Sequence, residues 1–324
     1  MGINNKGVDM TKRPVLAILC VTMLSLWHAE KPAAAEDQAD EPDQYSNLVA
    51  LKGYSFPVFA SPGTETRAQE IAARCDRAYH FFQDALHRKA EVVVLVLSAD
   101  NWDQYATFPL FGMPHCVDVR TLVIAGQENE MSKAIVPPLE NLQPDVAQDF
   151  RGSYGQPDSS VSVGAFMDLL AIHEMMHLFI DQTTGTADFH LPRRWLVELL
   201  CNLGLHAYVV NEEPNEIGHL TIYPQTVSGL GYGHLAHTSL ADFESVYAGM
   251  EMPNFAWYQC QLHVAAHQVY DAAGIKGLQA MFDTVVGFSD NVSDEELAVL
   301  LEKEVHPGAA RVLTTWPDLR PSEK

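Results

Sequence analysis

The feature that most constrains this chain of 324 residues is an apolar stretch with two histidines four positions apart. Ala165 to Asp181 has helical spacing, and its centre reads His173-Glu174-Met175-Met176-His177. On a helix, residues four apart lie on the same face, so both imidazoles can bind one zinc ion. Glu174 can reach water at that ion without being a ligand. The alternative is a helix with two structural histidines.

A catalytic zinc site needs a third protein ligand. The metzincin continuation is not present, because Ile180 and Thr183 stand where its glycine and third histidine would be. The next predicted helix, Arg193 to Val210, carries a lone carboxylate, Glu198, in an apolar context. A buried carboxylate is costly without a cation, and zinc is the natural candidate.

Two polar side chains are candidates for orienting a zinc-bound histidine. Asn202 follows Glu198 by four residues and lies on the same helix face, while Asp181 follows His177 by four residues. Either oxygen can accept a hydrogen bond from the histidine nitrogen that does not bind the metal. An Asn202 bonded only to a local loop is an equally good interpretation.

The run Trp195-Leu196-Val197-Glu198 resembles the W-L-x-E segment of the gluzincin metallopeptidases, whose third zinc ligand is a Glu on a following helix. The resemblance implies that His173, His177 and Glu198 bind Zn²⁺ and that Glu174 is the general base. The expected activity is hydrolysis of a peptide or protein substrate.

The aminopeptidase branch of that family has an oxyanion-stabilising tyrosine at the head of a later helix. Tyr258 lies at a similar distance past Glu198, in the predicted helix Phe255 to Ala273, and by resemblance takes that role. His234 is the alternative donor. His263 and His267 form a further pair four residues apart. Without a neighbouring Glu or an obvious third ligand they indicate packing or support of the proposed ligands, and a second metal site is not expected.

The remaining elements are predicted from periodicity. They are a helix over Thr64 to Arg88, a buried strand over Val92 to Leu97, a short helix capped near Ser98, a strand over Val117 to Ala125, and a helix opened by the capping box Ser293-x-x-Glu296. Residues 127–157 and 211–240 are predicted to be irregular. By resemblance, this order implies an α+β, zincin-like fold.

The expected division has four parts. Residues 1–35 are predicted to be a cleaved signal peptide, with an uncleaved membrane anchor as the alternative, and residues 36–50 a flexible acidic leader. Residues 51–190 are expected to form a helix and mixed-sheet subdomain that includes the HExxH helix. Residues 191–324 then form a mainly helical subdomain with the third ligand. The product is predicted to be secreted or periplasmic.

Charge and cysteine content limit the function classes. With 42 acidic and 20 basic residues, the net charge is -22, which argues against nucleic acid and against a polybasic contact with lipid. After cleavage no stable membrane insertion is expected. Cys75, Cys116, Cys201 and Cys260 allow three disulfide pairings, and four buried thiols are equally compatible.

Three functions remain open at this point. The first is an exported zinc metallopeptidase. The second is a non-catalytic binding module in which zinc only holds two helices together, although such a module has no structural need for Glu174. The third is a zinc hydrolase of a non-peptide amide or ester.

Overall fold

The computed structural model describes residues 44–187, 190–288 and 292–319. The predicted signal peptide and most of the predicted leader lie outside these ranges. None of the helices in the described ranges is long and apolar enough to cross a membrane.

A five-stranded mixed sheet forms the N-terminal part of the fold, with strand order β1-β2-β3-β5-β4. The strands are β1 (Val49–Leu51), β2 (Val58–Ala60), β3 (Val93–Leu97), β4 (His115–Cys116) and β5 (Thr121–Ala125). The three central strands are parallel, and the two edge strands β1 and β4 are antiparallel to their neighbours. The short β4 therefore ends the sheet on one side.

Both faces of the central strands are buried, which explains their continuous apolar sequences. Side chains alternate between the faces of a strand. Val94 and Val96 accordingly join the main core, whereas Leu95 and Leu97 join a smaller core with Trp102. The predicted strand over Val92 to Leu97 is confirmed.

Helices make up most of the remaining chain. They are α1 (Glu65–Leu86), α2 (Ala99–Tyr105), α3 (Met131–Ala134), α4 (Pro144–Tyr154), α5 (Gly164–Thr184), α6 (Arg194–Glu212), α7 (Ile217–Gly229), α8 (Leu240–Val246), α9 (Met252–Val286), α10 (Asp294–Leu300) and α11 (Pro307–Thr315). The capping box at Ser293 and Glu296 is confirmed, with both hydrogen bonds formed. The α+β class is confirmed as a small mixed sheet combined with many helices.

Two predicted irregular segments are wrong because they contain helices. Residues 127–157 include α4, whose first residue is Pro144, a position where proline's missing N–H costs nothing. Residues 211–240 include α7, which keeps Pro224 inside the helix and has no clear apolar face. The prolines of the first segment and the Gly, Tyr and His residues of the second therefore do not exclude a helix.

Helix α9 contains a sharp backbone change where the sequence predicts a helix end. Gly274 has φ 59° and ψ -154°, outside the helical region, and helical structure resumes directly after it. Only glycine adopts positive φ at low cost. The predicted end near Gly274 is thus a kink between two helical halves.

The main hydrophobic core extends from Phe56 in the sheet region to Leu319 near the C-terminus. It includes side chains from both of the expected subdomains, among them Leu169 of α5 and Leu199 of α6. The boundary at residues 190–191 stays a prediction. What positions the site is the packing of α5 between the sheet and α6 within this core.

Candidate metal centre

Helix α5 carries the HExxH segment inside an almost fully buried helix. Leu169, Ile172, Met176 and Ile180 are buried in the main core, which fixes the rotation of the helix. The helix ends at Gly185, whose φ of 70° is the left-handed conformation that suits a helix C-terminus, and whose N–H donates to the Asp181 carbonyl. The predicted helix is confirmed.

The structure brings the three predicted metal ligands together. His173 and His177 approach each other through their Nε2 atoms, 3.1 Å apart. Glu198 reaches across from α6, and its Oε2 lies 3.2 Å from His173 Nε2. Both His173 and Glu198 are only 5% exposed, so the carboxylate is out of bulk water. This close approach joins two helices through polar groups in an apolar core.

Asn202 holds the His173 ring. Its Oδ1 lies 2.8 Å from His173 Nδ1, so Nδ1 is the donor and carries the proton. The other nitrogen, Nε2, faces Glu198 Oε2 and is the nitrogen left for a metal ion. Of the two predicted orienting residues, Asn202 is the one in contact with His173, and Asp181 is buried one turn beyond His177.

Glu198 has two more polar neighbours. The Tyr247 hydroxyl donates to Glu198 Oε1 at 3.0 Å, and the Gln259 side chain also hydrogen-bonds to the carboxylate. Burial raises the pKa of Glu198, but hydrogen bonding to His173 and Gln259 and the nearby imidazole charges lower it further, to about 2. The carboxylate is therefore ionised at neutral pH, as a metal ligand must be.

The Tyr247 ring makes a cation–π contact with Arg194. The guanidinium carbon of Arg194 lies 4.4 Å from the centre of that ring. Neither Tyr247 nor Gln259 was among the predicted site residues. Tyr247 lies in a short 3-10 segment, Tyr247–Gly249, with no periodicity to mark it, whereas Gln259 is a polar residue on an otherwise buried helix.

Cys201 also lies at this cluster. Its Sγ and one ligand atom from each of His173 and His177 all lie within 4.8 Å of one another. The thiol follows Glu198 by three residues, on the next turn of α6. None of the four cysteines within the described ranges is in a disulfide bond, and Cys75, Cys201 and Cys260 are buried.

Tyr258 is placed away from the metal ligands. Its hydroxyl donates to the Ser239 carbonyl at 2.7 Å, and its ring stacks on Trp316 with centres 5.8 Å apart. This hydrogen bond occupies the hydroxyl, and the role of Tyr258 as oxyanion donor stays a prediction. His234 is exposed in the segment between α7 and α8, and within the described ranges it makes no hydrogen bond or ion pair with the cluster.

Glu174 is partly buried on α5, directly after His173. Its backbone carbonyl accepts a hydrogen bond from Cys116 Sγ at 3.2 Å. Because Cys116 belongs to β4, this contact places the antiparallel edge strand against the HExxH helix. The edge of the sheet and the metal-ligand helix are thus adjacent.

The chemistry of the donor set fits zinc. His173 Nε2 lies 3.1 Å from His177 Nε2 and 3.2 Å from Glu198 Oε2. Both separations are close to the roughly 3.4 Å expected for neighbouring ligands of a tetrahedral ion with bonds of about 2.1 Å. Two lone pairs facing each other at that distance repel unless a proton or cation lies between them. Imidazole and carboxylate ligands together are typical of zinc.

Comparison with known proteins adds no further constraint, since no family model matches the sequence and no curated protein is significantly similar to it.

Proposed function

We propose that this protein is a zinc-dependent metallopeptidase with a zincin-like fold and the gluzincin ligand set. The observation that carries the proposal is the convergence of His173, His177 and Glu198 from two helices at the separations of a zinc site. The hydrogen bond from His173 to Asn202 orients the imidazole of this proposed ligand, as is usual for a zinc-bound histidine. The predicted signal peptide makes the protein an exported enzyme.

The chain's own residues take distinct parts in the reaction. Zinc, when bound, supplies Lewis-acid activation of the scissile carbonyl and the attacking water. Glu174 takes a proton from that water and transfers it to the leaving amine. Tyr247 is a positioning residue, because its hydroxyl fixes Glu198 rather than the substrate. Tyr258 and His234 stay predictions as oxyanion donors.

A peptide substrate is favoured over other amides and esters by the position of β4. This strand pairs with β5 on one side only and is the last strand of the described sheet. Unpaired backbone groups on an edge strand bind an extended peptide by adding a further strand. The contact between Cys116 and Glu174 supports a binding position for such a peptide beside the predicted base.

Removal and return of zinc tests the proposal directly. We expect purified mature protein to hydrolyse a mixture of unstructured peptides, to lose this activity with a chelator, and to regain it with added Zn²⁺. Cleavage is followed by mass spectrometry, which also separates internal from terminal cleavage. Zinc bound without any peptide hydrolysis would favour the binding module, and hydrolysis that resists chelation would contradict the proposal.

Asn202→Ala is expected to weaken zinc binding by about 10- to 100-fold, the usual effect of removing an outer hydrogen-bond partner of a histidine ligand. The physical reason is that His173 would lose the acceptor that fixes its proton on Nδ1. Affinity is measured by competition with a chromophoric chelator. Asn211→Ala is the matched control on the same helix, since Asn211 contacts Tyr270 instead. Equal zinc affinity in the Asn202 variant and the wild type would show that this hydrogen bond is not needed.

A further inference from the structure

A line of polar side chains continues along the interface between α6 and α9, beyond the three proposed ligands. On each helix the members recur every four residues and so share one face. They are Glu198, Asn202 and His206 on α6, and Gln259, His263, His267 and Asp271 on α9. The two lines contact each other at the inner end through Gln259 and Glu198 and further out through the rings of His206 and His267.

The outer end of this line is a second cluster of metal-ligating groups. His206, His267 and Asp271 each offer one ligand atom, and these atoms all lie within 4.8 Å of one another. His267 Nε2 and Asp271 Oδ2 are 3.4 Å apart, which matches two neighbouring ligands of a tetrahedral ion. The rings of His206 and His267 stack with centres 4.5 Å apart.

His206 is a buried side chain whose capacity for hydrogen bonds is unused in the described part of the chain. It is 4% exposed, and in the described part of the chain its imidazole makes ring contacts but no hydrogen bond or ion pair. A neutral imidazole has one nitrogen lone pair, which is available to a cation.

A small cleft between α7 and the two histidine-bearing helices adjoins the cluster. His206, His263 and His267 line one side of it, and Pro224 and Gln225 of α7 line the other. The side chain of His267 is 29% exposed and that of Asp271 is 54% exposed, so the cluster opens to solvent at Asp271. A hydrated ion can thus reach it.

We propose that His206, His267 and Asp271 form a second site for a divalent transition-metal ion, which fastens α6 to α9. Two imidazoles and one carboxylate suit Zn²⁺, Cu²⁺ or Ni²⁺ rather than Mg²⁺ or Ca²⁺, which prefer all-oxygen ligands. Sequence spacing pairs His267 with His263 and predicts no second metal site, whereas in the structure His267 pairs with Asp271 and stacks on His206 from the neighbouring helix.

Zinc stoichiometry tests this second site separately from the first. Equilibrium dialysis of the purified protein against Zn²⁺, followed by elemental analysis, should give two bound ions for the wild type and one for His267→Ala. His177→Ala should also bind one ion, and the double variant none. Both changed residues are partly exposed, so these variants are expected to fold.

His219→Ala is the matched control, because His219 also pairs with a carboxylate, Glu216, but has no second imidazole beside it. It should keep both ions.

The melting temperature gives a second measurement. Added Zn²⁺ should raise the melting temperature of His177→Ala, because an ion that binds only the folded state stabilises the protein. Adding His267→Ala to that variant should remove the shift. Equal zinc content in His267→Ala and wild type would overturn the second site. A His177→Ala protein that keeps two ions would instead count against the first.

Discussion

Glu174→Gln is expected to reduce kcat/KM for peptide hydrolysis by about 10²- to 10⁴-fold, which is the usual contribution of a general base. Zinc is expected to stay bound. Glutamine keeps the size of the side chain but has no carboxylate to accept a proton. The three proposed ligands are unchanged, and Glu174 lies beside His173 without being one of them. Measuring kcat/KM and zinc content on the same preparation separates chemistry from metal loss.

A control with the same chemical change is Glu212→Gln, at an exposed position near the end of α6. It should hydrolyse peptides at the wild-type rate. If Glu174→Gln did so as well, the proposed mechanism would be wrong even with zinc in place. If Glu174→Gln instead lost its zinc, Glu174 would have to be assigned to the ligand set.

The local part of the site could be predicted from sequence because helix geometry determines it. His173 and His177 share a face in any helix that contains them, and Asn202 shares a face with Glu198. The pairing of α5 with α6 was inferred from the cost of burying a lone carboxylate, and the contact between Glu198 and His173 agrees with it. These predictions needed only one-turn periodicity and the chemistry of the side chains.

Helix α9 shows what helical periodicity alone could not predict. Successive helical residues point about 100° apart, so an error of one residue in assigning the inward face of α9 exchanges Gln259 for Tyr258. Gln259 contacts Glu198, whereas Tyr258 donates to Ser239 in the core. That rotation is set by the packing of α9 on α6, which sequence periodicity does not encode. Tyr247 reaches Glu198 for the same kind of tertiary reason.

The fold was predictable where the apolar pattern was regular. Strand β3 and helices α1, α5 and α6 are close to their predicted bounds, and β5 is the second part of the strand predicted over Val117 to Ala125. The errors lie in α4, where prolines indicate a loop, in α7, where Gly, Tyr and His do so, and in β1 and β2, which are three residues each. Strands that short have too few residues to show an alternating pattern.

The second large effect is expected for Glu198→Ala, which should lose zinc and with it all peptide hydrolysis. Loss of an outer hydrogen-bond partner weakens a zinc site by about 10- to 100-fold, so loss of a ligand is expected to weaken it by more than about 100-fold. The variant would also leave the Tyr247 hydroxyl without its acceptor in a buried position, which lowers stability. Zinc content, peptide hydrolysis and the melting temperature are measured together.

Glu213→Ala separates loss of a ligand from loss of a buried carboxylate. Glu213 caps the end of α6 and pairs with Arg74 at 2.8 Å, so its removal should lower the melting temperature but leave zinc and activity in place. Full zinc occupancy in Glu198→Ala would remove Glu198 from the ligand set. Cys201 would then be the remaining group close to both histidines, and the double variant Glu198→Ala/Cys201→Ser would lose the metal. Loss of zinc from Glu198→Ala alone, with Cys201→Ser still loaded, assigns the third ligand to Glu198.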